Sequence, residues 1–359
     1  MDDKDAIVIL SKDTLTKNEL SSLDFFLSSK NKWSDFLELL SFHKLLSRVY
    51  SHITQNNFNF ALPRHVYQIL QNQYTLTQYR SSMTNNKTCP IFEEMNESGI
   101  SYCIIKGYTL MKDVFPHTIR EFRDVDVLIH KNEYHLVDEV LQSFGCSQGE
   151  YNFKDKKIQK SRCQEIAYLI DTHQVLPYCL LTGDPLFPVI RIDVQFEYNL
   201  QKRMNYSIDY DEVIERRIKK TDDEINVFVL DPFDDFLMLC THLYGEAVIF
   251  SEICKGKDLQ LSKIADIFQW LQKYAKDYCW DSKVETIMKY NMQIPVAYSM
   301  YLVYVVYKIE VAKSILDKLG IVDYSFVDYY YNEHNELTRW DKPVLERMFC
   351  TTRPLKQRS

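Results

Sequence analysis

The sequence predicts an α+β fold: a mixed sheet core flanked by N-terminal and C-terminal α-helical subdomains. Three observations carry this. Apolar residues recur at three- and four-residue steps through the first hundred positions and again from Pro232 onward, the period of a helix packed on one face. Two central segments, Asp124 to His130 and Ile190 to Glu197, alternate instead with period two. Only 8 Gly and 10 Pro stand against 25 Tyr and 20 Phe, a balance that favours long regular elements over loops. The expected subdomains are 1–98, 99–230 and 231–359.

In chain order, Trp33, Phe36, Leu37, Leu40, Leu45, Leu46, Val49 and Tyr50 form one helical packing face. A second helix follows Pro63, with Val66, Ile69, Leu70 and Tyr74 inward. A third is expected to begin at Pro90, a proline suited to a first turn, and to run through Ile91, Phe92 and Met95. Ser101 to Ile105 is a short apolar run ending at Lys106-Gly107, followed by Tyr108, Leu110, Met111 and Val114 before Pro116: strand, glycine turn, helix. In a strand from Asp124 to His130, Asp124, Asp126, Leu128 and His130 share one face, and Val125, Val127 and Ile129 the other.

A helix then carries Tyr134, Leu136, Val137, Val140 and Leu141 and ends near Gly145, a natural left-handed terminator. Weaker strand candidates lie around Glu165 to Ile170 and Val227 to Leu230. Between them, Ile190, Ile192, Val194 and Phe196 alternate with Arg191, Asp193, Gln195 and Glu197. The late helices carry Phe233, Phe236, Leu237, Leu239 and Leu243, then Leu259, Ile264, Ile267, Phe268 and Leu271. Ile294 to Tyr307, the most apolar late segment, contains Pro295 and Ser299 and falls short of the roughly 20 residues a bilayer span requires, so it reads as a buried helix.

Bulk chemistry narrows the partners. A formal net charge of −7 provides no global positive field for a polynucleotide, so no long nucleic acid is expected. Lys154, Lys156, Lys157, Lys160 and Arg162 make one local basic stretch, which suits either a solvated hairpin or a small anion. The nine cysteines show no CxxC spacing, which favours reduced thiols and a cytoplasmic setting. The opening MDDKDAIVIL has acidic residues where an export signal needs positive charge, so neither export nor membrane association is expected.

The chemistry centres on Asp124-Val125-Asp126. The chain has two other Asp-x-Asp runs, Asp3-Lys4-Asp5 and Asp209-Tyr210-Asp211, but only this one is embedded in an apolar strand. There, two same-face carboxylates repel each other and lose hydration unless a cation compensates them. The same pattern also suits an exposed strand edge with two solvated acids. Two further features favour a site: Gly107 opens a helix, whose free N–H groups and dipole attract a phosphate, and Asp193 lies on the polar face of the second strand.

These residues resemble a known family. Within Tyr102 to Ile129, the run IIKGYTLMKDVFPHTIREFRDVDVLI is similar to the uncharacterised nucleotidyltransferases of the DNA polymerase β-like nucleotidyltransferase superfamily. That pattern is an apolar strand, Lys-Gly, a short helix, an Arg four residues before the first Asp, then Asp-apolar-Asp. Here those positions are Lys106, Gly107, Arg120, Asp124 and Asp126. KWSDFLELLSFHKLLSRVY resembles the family's N-terminal helix and Ile190 to Phe196 its third-carboxylate strand. PFDDFLMLCTHL through DLQLSKIADIFQWL resembles its C-terminal helices, with a His (here His242, read as a helix histidine) and a Leu-x-x-x-x-Asp element. The chain departs from the wider superfamily in having Gly107-Tyr108 where Gly-Ser or Gly-Gly is usual, sixteen residues between Gly107 and Asp124, and Gln195 where a His often follows the third Asp.

The resemblance implies a nucleotidyltransferase-like fold and a metal-dependent transfer of a nucleoside monophosphate from a nucleoside triphosphate, ATP being the expected one. It assigns Asp124, Asp126 and Asp193 as catalytic and metal-binding residues, for Mg²⁺ or Mn²⁺. Lys106, Gly107, Tyr108 and Arg120 become the nucleotide-binding set, with Arg120 equally suited to an ion pair and Lys106 to a surface position. The acceptor is expected to be a small molecule or a peptide. The alternative is an inactive nucleotidyltransferase fold that binds nucleotide or protein without turnover.

Overall fold

The computed structural model describes residues 1–107, 113–198, 204–221 and 226–352. The chain packs as two compact units. One comprises Met1–Leu76, Lys112–Glu121 and Leu239–Ser359; the other comprises Thr77–Met111 and Phe122–Met238.

The second unit holds the sheet. Its strands are β1 (Tyr102–Ile105), β2 (Asp124–Ile129), β3 (Ser147–Gln148), β4 (Glu150–Asn152), β5 (Lys157–Gln159), β6 (Tyr178–Leu181), β7 (Val189–Gln195), β8 (Ile218–Thr221) and β9 (Asn226–Val229). Seven of them form one mixed sheet in the order β3-β6-β7-β2-β1-β9-β8, while β4 and β5 pair as a separate hairpin. At the centre β2 runs antiparallel to β1 and parallel to β7. The fold class is therefore the expected α+β arrangement with a mixed sheet.

Period-two alternation separates the two faces of this sheet. Val125, Val127 and Ile129 of β2, Ile190, Ile192 and Val194 of β7, and Tyr102 and Ile104 of β1 all enter one apolar core. Ile91, Phe92, Met95, Val137, Val140 and Leu141 belong to the same core, contributed by two helices. Burying a side chain of this size stabilises by about 1.5–3 kcal/mol. A one-residue slip in β2 or β7 would expose the whole row and bury the acids, so the register is strongly specified.

Two expectations are corrected. Pro90 does not start a helix; it lies inside one continuous helix, Arg64–Glu97. An internal proline costs about 3 kcal/mol or more. Complete burial of Ile91, Phe92 and Met95 immediately after it offsets that cost. Residues 165–170 are helical, within Arg162–Asp171, and not a strand. The signal that decides it is a capping box: Ser161 Oγ accepts from the Gln164 N–H at 3.2 Å while the Gln164 side chain accepts from the Ser161 N–H.

Other elements match the pattern that predicted them. The helix Tyr134–Ser143 ends before Gly145, which takes φ +81°. Val227 to Leu230 falls on β9, and the segment with Pro295 is the helix Gln293–Tyr307, most of it buried. The basic stretch that includes Lys154 to Lys157 is the exposed hairpin β4–β5. All nine cysteines are free thiols. Among the described residues, no helix is long and apolar enough to cross a membrane.

The first unit is mainly helical and contains a buried polar centre. The helix Leu261–Tyr274 is covered on most sides, and its Asp266 is 1% exposed. Arg120 grips Asp266 with two bonds, Nε to Oδ1 at 2.8 Å and Nη2 to Oδ2 at 2.6 Å. Arg48 is buried beside them over the Phe115 ring; burial lowers its pKa to about 10 against the opposing pull of Asp266. His52 donates from Nε2 to the Lys12 carbonyl, and burial lowers its pKa to about 4, so it sits there as a neutral ring.

Candidate active site

The sheet face opposite the apolar core carries the acids. In the parallel register of β2 with β7, Asp124 lies opposite Arg191, Asp126 opposite Asp193, and Leu128 opposite Gln195. On the other side of β2, Ile105 pairs with Asp126. Adjacent strands lie about 4.8 Å apart, and side chains of paired residues share a face. Asp124, Asp126 and Asp193 therefore meet on one surface, with Asp126 and Asp193 directly side by side. Asp126 is 7% exposed and Asp193 8%.

This placement has an electrostatic cost that shows at Asp126 and Asp193. Burial pushes the Asp126 carboxyl above its ordinary value against the pull of Lys106, and the charges of Asp124 and Asp193 push it further. Asp193 is raised in the same way by burial, against Arg191, with Asp124 adding to the rise. These are mutually repelling carboxylates, held together because the strands that carry them are fixed by the apolar core on their far side.

Two cationic side chains of the same unit meet them. Lys106 sits at the turn leaving β1 with φ +61°, a left-handed conformation that costs a residue with a side chain roughly 1–2 kcal/mol. Its ammonium donates to Asp126 Oδ1 at 2.6 Å and to Gln195 Oε1 at 3.2 Å. Lys106 is therefore buried, not a surface lysine. Arg191 donates from Nε to Asp193 Oδ1 at 2.7 Å and from Nη1 to both oxygens of Glu150 at 3.3 Å. Burial alone would lower the Arg191 pKa, but the Asp193 and Glu150 carboxylates outweigh it and raise it overall.

Gly107 is buried and has helical backbone directly after Lys106. Tyr108, expected from the resemblance to join Gly107 in nucleotide binding, lies outside the described residues. Arg120 belongs to the other compact unit and is paired there with Asp266. His130 directly follows β2, with Nδ1 2.6 Å from Asp211 Oδ1, and His242 has Nε2 3.5 Å from Glu246 one helical turn on. The two other Asp-x-Asp runs serve local structure: Asp2 and Asp5 form a capping box, and Asp209 caps the helix Tyr210–Glu215.

Sequence reasoning missed Arg191, Glu150 and Gln174. Arg191 was legible in principle, since it shares the polar face of β7 with Asp193. Glu150 and Gln174 were not, because they reach the site from the β4–β5 hairpin and from a bridge between residues 174 and 195. Gln174 Nε2 donates to the same Gln195 Oε1 that receives Lys106. Among the described residues, no three His, Cys, Asp or Glu side chains are already set around a point that would hold an ion. Asp126 is instead turned onto Lys106, and Asp193 onto Arg191.

No curated protein matches the chain. Among solved structures, an antigenic nucleotidyltransferase-like protein from Paracoccidioides brasiliensis is similar at 13% identity, over 53% of this chain and 76% of that one, with a TM-score of 0.31. That likeness is too slight to carry an argument. Residues 29–308 match the family of uncharacterised nucleotidyltransferases, a span that contains the whole carboxylate face and both of its cationic side chains. The chain belongs to that family of uncharacterised nucleotidyltransferases.

Proposed function

We propose that this protein is a metal-dependent nucleotidyltransferase that moves a nucleoside monophosphate, with ATP the leading donor, onto a hydroxyl of a small-molecule or peptide acceptor. The observation that carries the reading is the register pairing of Asp126 with Asp193, with Asp124 on the same face. Three oxygen-donor side chains, crowded and partly desolvated, are the donor set that Mg²⁺ or Mn²⁺ takes. Asp124 and Asp126 would hold such ions jointly, and Asp193 would hold the one nearer the acceptor. When bound, divalent cations neutralise the phosphates and orient the in-line displacement.

The protein's own groups divide the remaining work. Main-chain N–H groups at Gly107 are assigned to the triphosphate, with Lys106, once released from Asp126, as a cationic partner for the same anion. The acceptor oxygen forms a bond to the α-phosphorus as the bond from that phosphorus to the bridging oxygen of the β-phosphate breaks, releasing pyrophosphate. The acceptor's proton passes to a base, and Asp193, raised by burial, is the residue on this face assigned to take it.

A second reading is a fold that binds nucleotide without turnover. It is favoured by Gln195 in place of a histidine and by the ion pairs that already neutralise Asp126 and Asp193. Incubation with each of four α-labelled triphosphates and Mg²⁺ decides between them. Transferase activity predicts pyrophosphate release with label on a candidate acceptor or on the protein. Tight binding with neither product would overturn it in favour of the second reading.

A further inference from the structure

The two ion pairs on the carboxylate face differ in one respect. Lys106 and its acid are both buried. Arg191 is only partly covered and is shared between two acids, one inside the site and one outside. It stands opposite Asp124 in register, two residues before Asp193 on the same face of β7. Its Nε is committed to Asp193 at 2.7 Å, its Nη1 reaches Glu150 at 3.3 Å, and its Nη2 lies 3.4 Å from the Tyr168 hydroxyl. Glu150 begins the β4–β5 hairpin and Tyr168 lies in the helix Arg162–Asp171, so the guanidinium has a second, ready-made seat on elements that flank the carboxylate face.

We propose that Arg191 is an internal counter-ion on Asp193 that a divalent cation must displace, and that Glu150 holds the guanidinium once it has left. The inference rests on the reading of the acidic trio as a cation site. Its physical basis is simple. A guanidinium held 2.7 Å from Asp193 Oδ1 and a doubly charged ion on the same carboxylate would repel each other strongly at such close range. Loading the site therefore requires an exchange, in which Arg191 gives up one acid and strengthens its contact with the other. The planar guanidinium suits this, because its five N–H groups let it turn toward a second carboxylate without losing all its bonds. A free site so guarded has a reduced but measurable affinity for cations, and the negative charge of a triphosphate adds to it.

The test uses the full chain and Mn²⁺ alone, with free ion counted by electron paramagnetic resonance. Arg191→Gln removes the competitor and is expected to tighten Mn²⁺ binding about tenfold, from charge removal at close range. Glu150→Gln removes the alternative seat and is expected to weaken Mn²⁺ binding about threefold, since an exposed pair contributes little. Both signs also follow from charge alone, so the exchange is read from the double variant: once Arg191 is replaced, Glu150→Gln should no longer weaken Mn²⁺ binding, whereas a persisting loss of about threefold would overturn the seat role of Glu150. If Arg191→Gln does not fold, Arg191→Met takes its place in the same comparison. If the parent binds Mn²⁺ and Arg191→Gln binds it no more tightly, the counter-ion role is wrong while the cation site stands. If neither the parent nor either variant binds Mn²⁺, the cation site itself fails, and this inference falls with it.

Discussion

Asp126→Ala is expected to abolish nucleotidyl transfer, with a loss of about 10³-fold or more in pyrophosphate release, because a metal-ligating carboxylate supplies several kcal/mol of transition-state stabilisation and each 1.36 kcal/mol is tenfold. Asp126 is the centre of the face: it pairs in register with Ile105 on one side and Asp193 on the other, and it receives the Lys106 ammonium. Deleting it relieves repulsion among the acids but leaves Lys106 without its anionic partner. Asp126→Asn, which keeps the shape and a carbonyl acceptor, separates the two effects and should lose activity to the same extent. A second readout accompanies the first. Mg²⁺ with ATP should raise the thermal midpoint of the parent by more than the two shifts added, and Asp126→Ala should lose that excess. A variant that responds as the parent does would remove Asp126 from the site.

The second large effect is on stability and lies in the other unit. Asp266→Ala is expected to destabilise the fold by about 3–5 kcal/mol, the range for removing one partner of a buried ion pair. Asp266 is 1% exposed, takes both ends of the Arg120 fork, and opposes the burial that lowers the buried Arg48. Removing it leaves two guanidinium groups without that compensating charge. Replacing Arg120 and Asp266 together by Met and Leu should recover much of the loss, since a well-packed apolar pair avoids the desolvation cost altogether. Urea unfolding of the single and double variants measures both values. An Asp266→Ala loss below about 1 kcal/mol, the scale of a surface pair, would show that the bond to Arg120 is not a structural one.

The parts of this molecule legible in the sequence are those with a strict period and an interior to face. β2 and β7 alternate cleanly, and one apolar row on each makes register, core face and acid face follow together. That is why three acids 67 to 69 residues apart in sequence, Asp124 and Asp126 against Asp193, could be placed on one surface. Gly145 and β9 were legible for similarly local reasons. Short edge strands carry no such signal. β3 is two residues long, and β8 has Lys219 and Lys220 at its centre, so neither offers a period to count.

The corrections have equally local causes. Around Pro90, packing against the sheet outweighs the lost N–H, and no property of the proline itself announces that. Around Glu165 the residues Ser161 and Gln164 form the capping signature, a stronger statement about a helix start than the few alternating positions that follow. The site's outer contacts were out of reach for a different reason. Arg191 was visible as a strand residue, but its sharing between Asp193 and Glu150 depends on where a hairpin forty residues earlier comes to rest.

Everything functional here depends on Asp124, Asp126 and Asp193 serving together as a cation-binding face. Crystals grown with Mn²⁺ and a nonhydrolysable triphosphate test this directly through the anomalous signal of the metal. The account predicts anomalous density between the Asp126 and Asp193 carboxylates, with the triphosphate against the Gly107 turn and the Arg191 guanidinium drawn toward Glu150. Bound triphosphate with Mn²⁺ elsewhere, and with the Lys106–Asp126 and Arg191–Asp193 pairs intact, would contradict it.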